Sequence, residues 1–235
     1  NGDAIAAAGL LANALPADTA FQVSIARTRA AADRRIDDSS ATTVSIGFTA
    51  DTPEDSLDDD SNALVAYDIA RDLGQADPNL AIAGAIAAAV VPRGEALDAA
   101  TEAGVERRPG VGIPTADLGD GLAHSTFLHA SVSGDEQQAG ALLAELELPA
   151  TMDERAHRRV ASAVALAATE PPAPESAAEA LERVLKPYVL PDGPFETVEG
   201  YADVLDGLAR SDPGLATALA IGHDDRTTAL DAWRD

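Results

Sequence analysis

The chain contains no cysteine, a single lysine (Lys186) and few aromatic residues. Without cysteine it forms no disulfide, no thiolate nucleophile and no thiolate metal site. Its longest apolar run, Leu80–Val91, is shorter than the roughly 20 residues of a membrane span, so we expect a buried helix there and no membrane contact. We find no signal-peptide pattern. Because the chain starts without methionine at a loop-to-helix corner, we expect an upstream segment to precede it.

Negative charge is what the chain has in excess. Acidic residues outnumber basic ones 40 to 16, which gives a formal net charge of -24. Molar salt shortens the Debye length to about 3 Å and so screens the self-repulsion of such a chain. An acidic, lysine-poor composition is therefore what we expect of a cytoplasmic protein from an extreme halophile. The hydrophobic share of 46% argues for a folded chain rather than a disordered one.

Helical patterns dominate, and three stretches resemble strands. The acidic stretch of residues 49–61 is predicted to be a loop, with Ser61 or Asn62 as the next N-cap and Gly74 as that helix's stop. Strands are predicted at Phe21–Thr28, Thr42–Phe48 and Gly214–Gly222. Helices are predicted at Ala4–Leu15, Ala30–Ile36, Asn62–Gly74, Asp77–Val91, Gly94–Gly104, Asp135–Leu148, Met152–Thr169, Ala177–Leu185, Thr197–Ser211 and Asp225–Asp235.

Alternation of strands and helices indicates an α/β fold with a mainly parallel sheet flanked by helices. We expect an N-terminal domain over residues 1–122 and a helical connecting region over 123–170. Residues 171–235 are then the start of a second, smaller α/β domain. The proline-rich stretch Glu170–Ser176 is the predicted linker.

Several polar groups are candidates for chemistry, and each has a simpler interpretation. Asp3, at a loop-to-helix start, suits either a divalent cation or capping of the helix, and capping is favoured. The aspartates of Asp55–Ser61 lack EF-hand spacing, which favours a solvated loop. His124, Ser125 and His129 form a candidate polar loop site, although no carboxylate at ligand spacing was identified beside them. His223 follows Gly222 at a predicted strand end, a geometry that suits anions, but Asp224 and Asp225 directly after it weaken that interpretation.

Arginines gather between positions 27 and 35, where clustered guanidinium groups suit phosphate. An equally good interpretation is a solvated helix face paired with nearby acids. The residues are Arg27, Arg29, Arg34 and Arg35. The sequence contains no G-x-S-x-G, Walker or G-x-G-x-x-G motif, which argues against a common hydrolase triad, nucleotide hydrolysis and dinucleotide binding.

Three stretches, in order, resemble the archaeal RecJ-like branch of the DHH phosphoesterase family, which includes GINS-associated nucleases. NGDAIAAAGLLANAL is similar to the family's D-x-D-G motif and the helix after it. LAHSTFLHASVSGDEQQAGALLAELEL is similar to the segment that follows the DHH domain. YADVLDGLARSDPGLATALAIG is similar to the N-A-C-G-R stretch and a glycine-ended strand. The resemblance implies a two-domain DHH architecture and a phosphodiesterase using two Mn²⁺ or Mg²⁺ ions.

This chain departs from the family pattern at its catalytic positions. Asn1 stands where the first aspartate belongs, and Asp3 alone matches the second as a metal ligand. Ile46–Phe48 occupies the place of the second motif's aspartate, and no DHH tripeptide follows. In the N-A-C-G-R stretch, Asp206 replaces Asn and only Arg210 remains as a phosphate contact. A two-metal site needs several carboxylates and histidines, so we assign no catalytic residue.

We therefore expect a catalytically degenerate RecJ-like protein of DNA replication or repair. It would act as a scaffold that binds single-stranded DNA, GINS or both, without a certain cofactor. The alternative is an active single-stranded DNA exonuclease dependent on Mn²⁺ or Mg²⁺. A small-molecule phosphoesterase without a DNA role is a third hypothesis.

Overall fold

The computed structural model describes residues 1–37, 42–48, 56–170, 177–191, 193–223 and 226–235. Within these ranges the protein is a mainly helical α/β structure with short strands. The elements are α1 (Gly2–Ala14), α2 (Arg29–Asp37), β1 (Ser45–Ile46), β2 (Ser56–Leu57), α3 (Asn62–Asp72), α4 (Pro78–Ala87), α5 (Gly94–Glu102), β3 (Glu106–Arg107), α6 (Leu118–His124), α7 (Glu136–Glu145), α8 (Glu154–Thr169), α9 (Ala177–Val184), β4 (Tyr188–Val189), α10 (Val198–Ser211), α11 (Pro213–Ala220) and α12 (Arg226–Arg234).

Helix α1 lies at the centre of the fold, in contact with α3, α4, α10 and α11. Its composition of alanine, glycine and leucine allows these neighbours to approach closely. A Cβ atom at Gly84 of α4 would lie only 2.3 Å from the Cβ of Ala63 and 2.8 Å from that of Ala6. Both alanines are fully buried. The core around α1 is therefore built from small side chains in close contact.

The N-cap and stop predicted for α3 are confirmed. Ser61 is its N-cap, with extended backbone and a side-chain oxygen that accepts a hydrogen bond from the Leu64 N–H. Gly74 follows the helix with φ of +104°, a conformation that favours glycine.

The prediction of a mainly parallel sheet is wrong for the described residues. They contain one two-stranded parallel pair, in which Ser45 lies opposite Ser56 and Ile46 opposite Leu57. A second pair, β3 with β4, is antiparallel. Of the predicted strand Thr42–Phe48, the structure shows Ser45 and Ile46 as paired strand residues.

The other two strand predictions are also wrong. Phe21–Thr28 is mostly exposed and pairs with no strand among the described residues, so its alternating pattern faces no sheet there. Gly214–Gly222 lies largely in helix α11. There Asp212 is the N-cap and accepts a hydrogen bond from the Leu215 N–H at 3.0 Å, while Pro213 occupies the first turn.

The predicted division at residues 122 and 170 stays a prediction. Helix α10 packs on both α1 and α4, so residues from the beginning and end of the chain share one core. Residues 171–176 of the predicted linker and 49–55 of the predicted acidic loop lie outside the described residues. No helix in the described ranges combines the length and the apolar character that crossing a bilayer requires.

Candidate functional site

The three stretches that carry the family resemblance meet in space. The Gly2 N–H at the start of α1 donates a hydrogen bond to Asp206 Oδ1 of α10 at 3.0 Å. Arg210 pairs with the same carboxylate and also donates to Thr126 Oγ1 at 3.1 Å. We call this meeting point the α1–α10 corner, defined by Gly2, Thr126, Asp203, Asp206 and Arg210. Because Asp206 and Thr126 already engage it, Arg210 is not a free phosphate contact.

Asp3 is buried, and its carboxylate holds the start of α3. Oδ1 accepts hydrogen bonds from Ser61 Oγ and the Ala63 N–H, both at 3.0 Å. Oδ2 accepts from the backbone and the side-chain nitrogen of Asn62, both at 2.9 Å. The backbone donors are orphan N–H groups of the first turn, for which a carboxylate is a favourable partner.

The predicted capping role of Asp3 is thus found on a different helix. The N-cap of α1 is Asn1, whose Oδ1 accepts from the Ala4 N–H at 3.0 Å. Asp3 instead serves α3 and ties it to α1. A metal ion at Asp3 would have to share or displace the four donors that its oxygens already accept.

Asp203, which belongs to the α1–α10 corner, is a buried carboxylate like Asp3 and is fully inaccessible to solvent. It accepts from the hydroxyl groups of Ser125 and Thr126, both at 2.7 Å, and from the Thr126 N–H at 3.0 Å. Trp233 Nε1 of α12 lies 3.4 Å from its Oδ1. Burial raises the pKa of Asp203, and the hydrogen bonds from Ser125 and Thr126 oppose that rise. The predicted loop residue Ser125 therefore has a structural partner.

His124 lies one helical turn from Asp120 on α6, and the ligand atoms of Asp120, His124 and Glu136 all lie within 4.8 Å of one another. His124 Nδ1 is 3.2 Å from Asp120 Oδ1, and its Nε2 is 3.8 Å from Glu136 Oε1. The sequence interpretation missed both carboxylates. The i, i+4 spacing of Asp120 and His124 was the available signal, once residues 118–124 are taken as helix rather than loop.

This cluster is better equipped to bind an arginine than a metal. Arg234 of α12 donates from Nε and Nη2 to the two oxygens of Asp120, each at 2.9 Å. These hydrogen bonds lower the pKa of Asp120, in spite of partial burial. The guanidinium group thus already neutralises both carboxylate oxygens of Asp120, so a metal ion there would have to compete with Arg234. The ring of His124 also lies against that of Trp233 in a tilted arrangement, with ring centroids 5.9 Å apart.

The predicted arginine cluster is exposed. Arg27 precedes α2, while Arg29, Arg34 and Arg35 lie on it. Arg35 donates hydrogen bonds to Ser24 Oγ at 2.8 Å and to the Ile25 carbonyl. The structure therefore leaves the cluster at the surface, as both interpretations of it require.

The remaining sequence candidates do not join the corner. His129 is exposed, and His223 is exposed just beyond α11, where its N–H donates to the Ala218 carbonyl at 3.0 Å. The described part of the acidic loop borders a cavity of about 230 Å³ against the starts of α3 and α5. Its charged lining is Asp59, Asp68, Arg93 and Glu95. A cavity with this excess of carboxylates repels phosphate.

Glu199, in the first turn of α10, is a buried acid that the sequence did not indicate. It is 1% exposed, and its Oε2 accepts from the Tyr188 N–H of β4 at 2.9 Å. Burial raises its pKa to about 8, against smaller opposing effects that include the Arg107 charge. A glutamate in a first turn is usually a surface residue, so no local pattern predicts this burial.

Comparison with known proteins gives a relative but no family. No protein-family model matches the chain. An uncharacterized protein of the halophilic archaeon Haloarcula marismortui is 50% identical over 238 aligned residues, which cover 99% of this chain. The chain spans 62% of the length of that relative. Its source agrees with the halophilic composition predicted above.

Proposed function

We propose that this chain is a catalytically degenerate RecJ-like DHH-family protein that acts in DNA replication or repair as a scaffold. In this role it binds single-stranded DNA, GINS or both. The observation that carries the proposal is the α1–α10 corner, where the three stretches that resemble the family contact one another. Contact among these three stretches supports the proposal, because the motifs of one site are expected to lie together in the fold.

The hydrogen bonds of the acidic groups at and beside the α1–α10 corner support a scaffold role rather than an enzymatic one. Two-metal phosphodiester hydrolysis requires carboxylates whose lone pairs face an open cleft and hold two cations. Asp3 and Asp203 direct their oxygens into donors of the protein itself. Asp206 is engaged by Gly2 and Arg210. These carboxylates join α1, α3, α10 and the 125–126 turn, which is a structural task.

In this proposal DNA is contacted by the exposed arginines of α2 and by Arg27, which lies two residues before the start of that helix. Guanidinium groups bind phosphate through bidentate hydrogen bonds that survive salt better than long-range attraction does. The net charge of -24 opposes approach of a polyanion, so affinity is expected to be modest. Arg27 and Arg34 are the contacts to test, because Arg35 is partly engaged by Ser24 and Ile25.

The test is Mn²⁺-dependent digestion of end-labelled single-stranded DNA in molar KCl, with metal binding followed by calorimetry. We expect no digestion and no stoichiometric Mn²⁺ binding. Asp3→Asn is the informative variant, because it keeps the shape of the side chain, and Asp203→Asn is its matched control. Digestion that Asp3→Asn abolishes and Asp203→Asn preserves, in two folded variants, would establish the exonuclease alternative instead.

DNA binding is tested separately, by fluorescence anisotropy of a labelled oligonucleotide over a range of KCl concentrations. Replacing one phosphate-binding arginine should lower the slope of log affinity against log salt by about 0.7 for single strands. We expect this for Arg27→Gln and Arg34→Gln. Arg108→Gln is the control, since that exposed arginine already pairs with Glu106. Equal effects of all three variants would contradict a defined contact surface.

A further inference from the structure

Helix α8 carries a feature outside the α1–α10 corner. A groove of about 360 Å³ runs along its exposed side to the end of α7. Its lining combines basic and small or apolar side chains, namely Leu146, Arg155, Arg158, Arg159, Ser162, Ala163 and Leu166. The opposite face of α8 faces the core through Ala156, Val160, Val164 and Ala168.

Two of these arginines have no partner in the part of the chain that the structure describes. Arg158 donates to Glu154 Oε2 at 2.7 Å, one helical turn away. The exposed side chains of Arg155 and Arg159 make no hydrogen bond, ion pair or ring contact with any residue that the structure describes. In a chain with 40 acidic residues, two adjacent unpaired guanidinium groups are a local exception to the charge of the whole molecule.

The same groove exposes apolar surface. Leu166 is 72% exposed, which makes it one of the two most exposed large hydrophobic residues described, beside Val91 at 74%. It lies on the groove side of α8 two turns after Arg159, with Ala163 between them. An occupant that covers Leu166 therefore also reaches the unpaired arginines.

We propose that the α8 groove is a docking site for an acidic, leucine-rich segment of a partner protein. Carboxylates of the segment would pair with Arg155 and Arg159 through two parallel hydrogen bonds each, and its apolar side chains would cover Leu166. Charge complementarity selects an anionic occupant, and Leu166 selects one that has apolar groups between its charges. This inference stands on α8 alone and does not depend on the DNA contact proposed above.

A peptide fits this groove better than nucleic acid does. Single-stranded nucleic acid is held by aromatic platforms for its bases as well as by charge, and the lining contains no aromatic ring. The exposed side chain of Leu166 adds apolar surface that a peptide side chain covers and a phosphate backbone does not.

The experiment measures anisotropy of a labelled peptide that repeats paired glutamates and paired leucines over three helical turns, with the whole chain in molar KCl. We expect saturable binding. The double variant Arg155→Gln/Arg159→Gln and the single variant Leu166→Ser should each weaken it at least about tenfold. A peptide with glutamine at every glutamate should lose at least as much. Arg108→Gln is the control and should bind like the parent chain.

The remaining outcomes each overturn the proposal. Absence of peptide binding up to about 1 mM, or binding that the groove variants leave unchanged, contradicts it directly. A labelled oligonucleotide that binds in place of the peptide, and is lost in the same double variant, assigns the groove to nucleic acid. Self-association of the parent chain that Leu166→Ser abolishes, measured by light scattering, assigns it to a second copy. Failure of Arg27→Gln and Arg34→Gln to alter DNA binding would affect only the proposed function.

Discussion

Glu199 makes the stability of this protein depend on pH in a way that a single substitution should remove. Its carboxyl group is buried, and its pKa is raised from 4.5 to about 8 by that burial. In the unfolded chain the group ionises near its ordinary value, whereas in the folded chain it stays protonated up to about pH 8. The folded state therefore loses stability relative to the unfolded state as pH rises from 4.5 to about 8, and the loss is complete above that range.

The magnitude follows from the same two values. At about 1.4 kcal/mol per pH unit, the interval between them corresponds to about 5 kcal/mol. In Glu199→Gln the amide oxygen still accepts from the Tyr188 N–H, and no proton is exchanged. The variant should be close to the parent chain or slightly less stable near pH 4.5, and more stable by about 5 kcal/mol near pH 9.

Urea unfolding at constant KCl, repeated across this pH range, measures the effect. The difference in unfolding free energy between parent and variant isolates Glu199, because every other titrating group is common to both. Glu196→Gln is the matched control, an exposed glutamate near by whose replacement should change stability by under about 1 kcal/mol. A parent-minus-variant difference that stays constant from pH 4.5 to 9 would refute the reasoning.

Two further predictions concern the core and the α6–α12 contact. Gly84→Val should destabilise the protein by at least about 2 kcal/mol, because the new side chain has no room against Ala63. Gly140 lies on α7 with open space around it, so Gly140→Ala should stabilise the protein by up to about 1 kcal/mol. Thermal unfolding of both variants checks this, and equal stability would contradict the close packing. Arg234→Gln should return the pKa of Asp120 toward its ordinary, higher value, as carboxyl ¹³C NMR titration would show. An unchanged pKa would mean that Arg234 is not its cause.

The helices were predictable because their determinants are local. Ser61 before α3, Gly74 after it and the alanine-rich run of α1 act within a turn or two of the element that they specify. The strands could not be predicted in the same way, because a strand forms only when it pairs with a second strand. The period-two pattern of Phe21–Thr28 indicates a segment with two different faces, but the part of the chain that the structure describes offers it no neighbouring strand.

The strand predicted at Gly214–Gly222 shows a local signal that was outweighed. Asp212 followed by Pro213 is an N-cap followed by a residue with the backbone angle that a first helical turn needs. The sequence pattern was interpreted as a strand, and the family resemblance favoured a glycine-ended strand at the same place. Buried Ala216, Leu219 and Ala220 follow the three-to-four-residue spacing of a helix face, a signal that the strand prediction overlooked.

The candidate site was predictable in its residues and not in their roles. Asp3, Ser125 and Arg210 were identified from sequence, and each lies at or beside the α1–α10 corner. Partners of these three residues come from distant parts of the chain, namely Asn62, Asp203 and Thr126. The role of a carboxylate depends on which hydrogen-bond donors tertiary packing brings to it. Sequence spacing alone does not show which donors those are.

The small residues around α1 and the role of Asp3 are two parts of one arrangement. Asp3 reaches the N–H groups of Asn62 and Ala63 because α3 lies against α1, and the missing side chain at Gly84 lets α4 pack closely on Ala6 and Ala63 of those two helices. This packing brings four donors to the two oxygens of Asp3. The alanine-rich core thus makes Asp3 a structural link between α1 and α3.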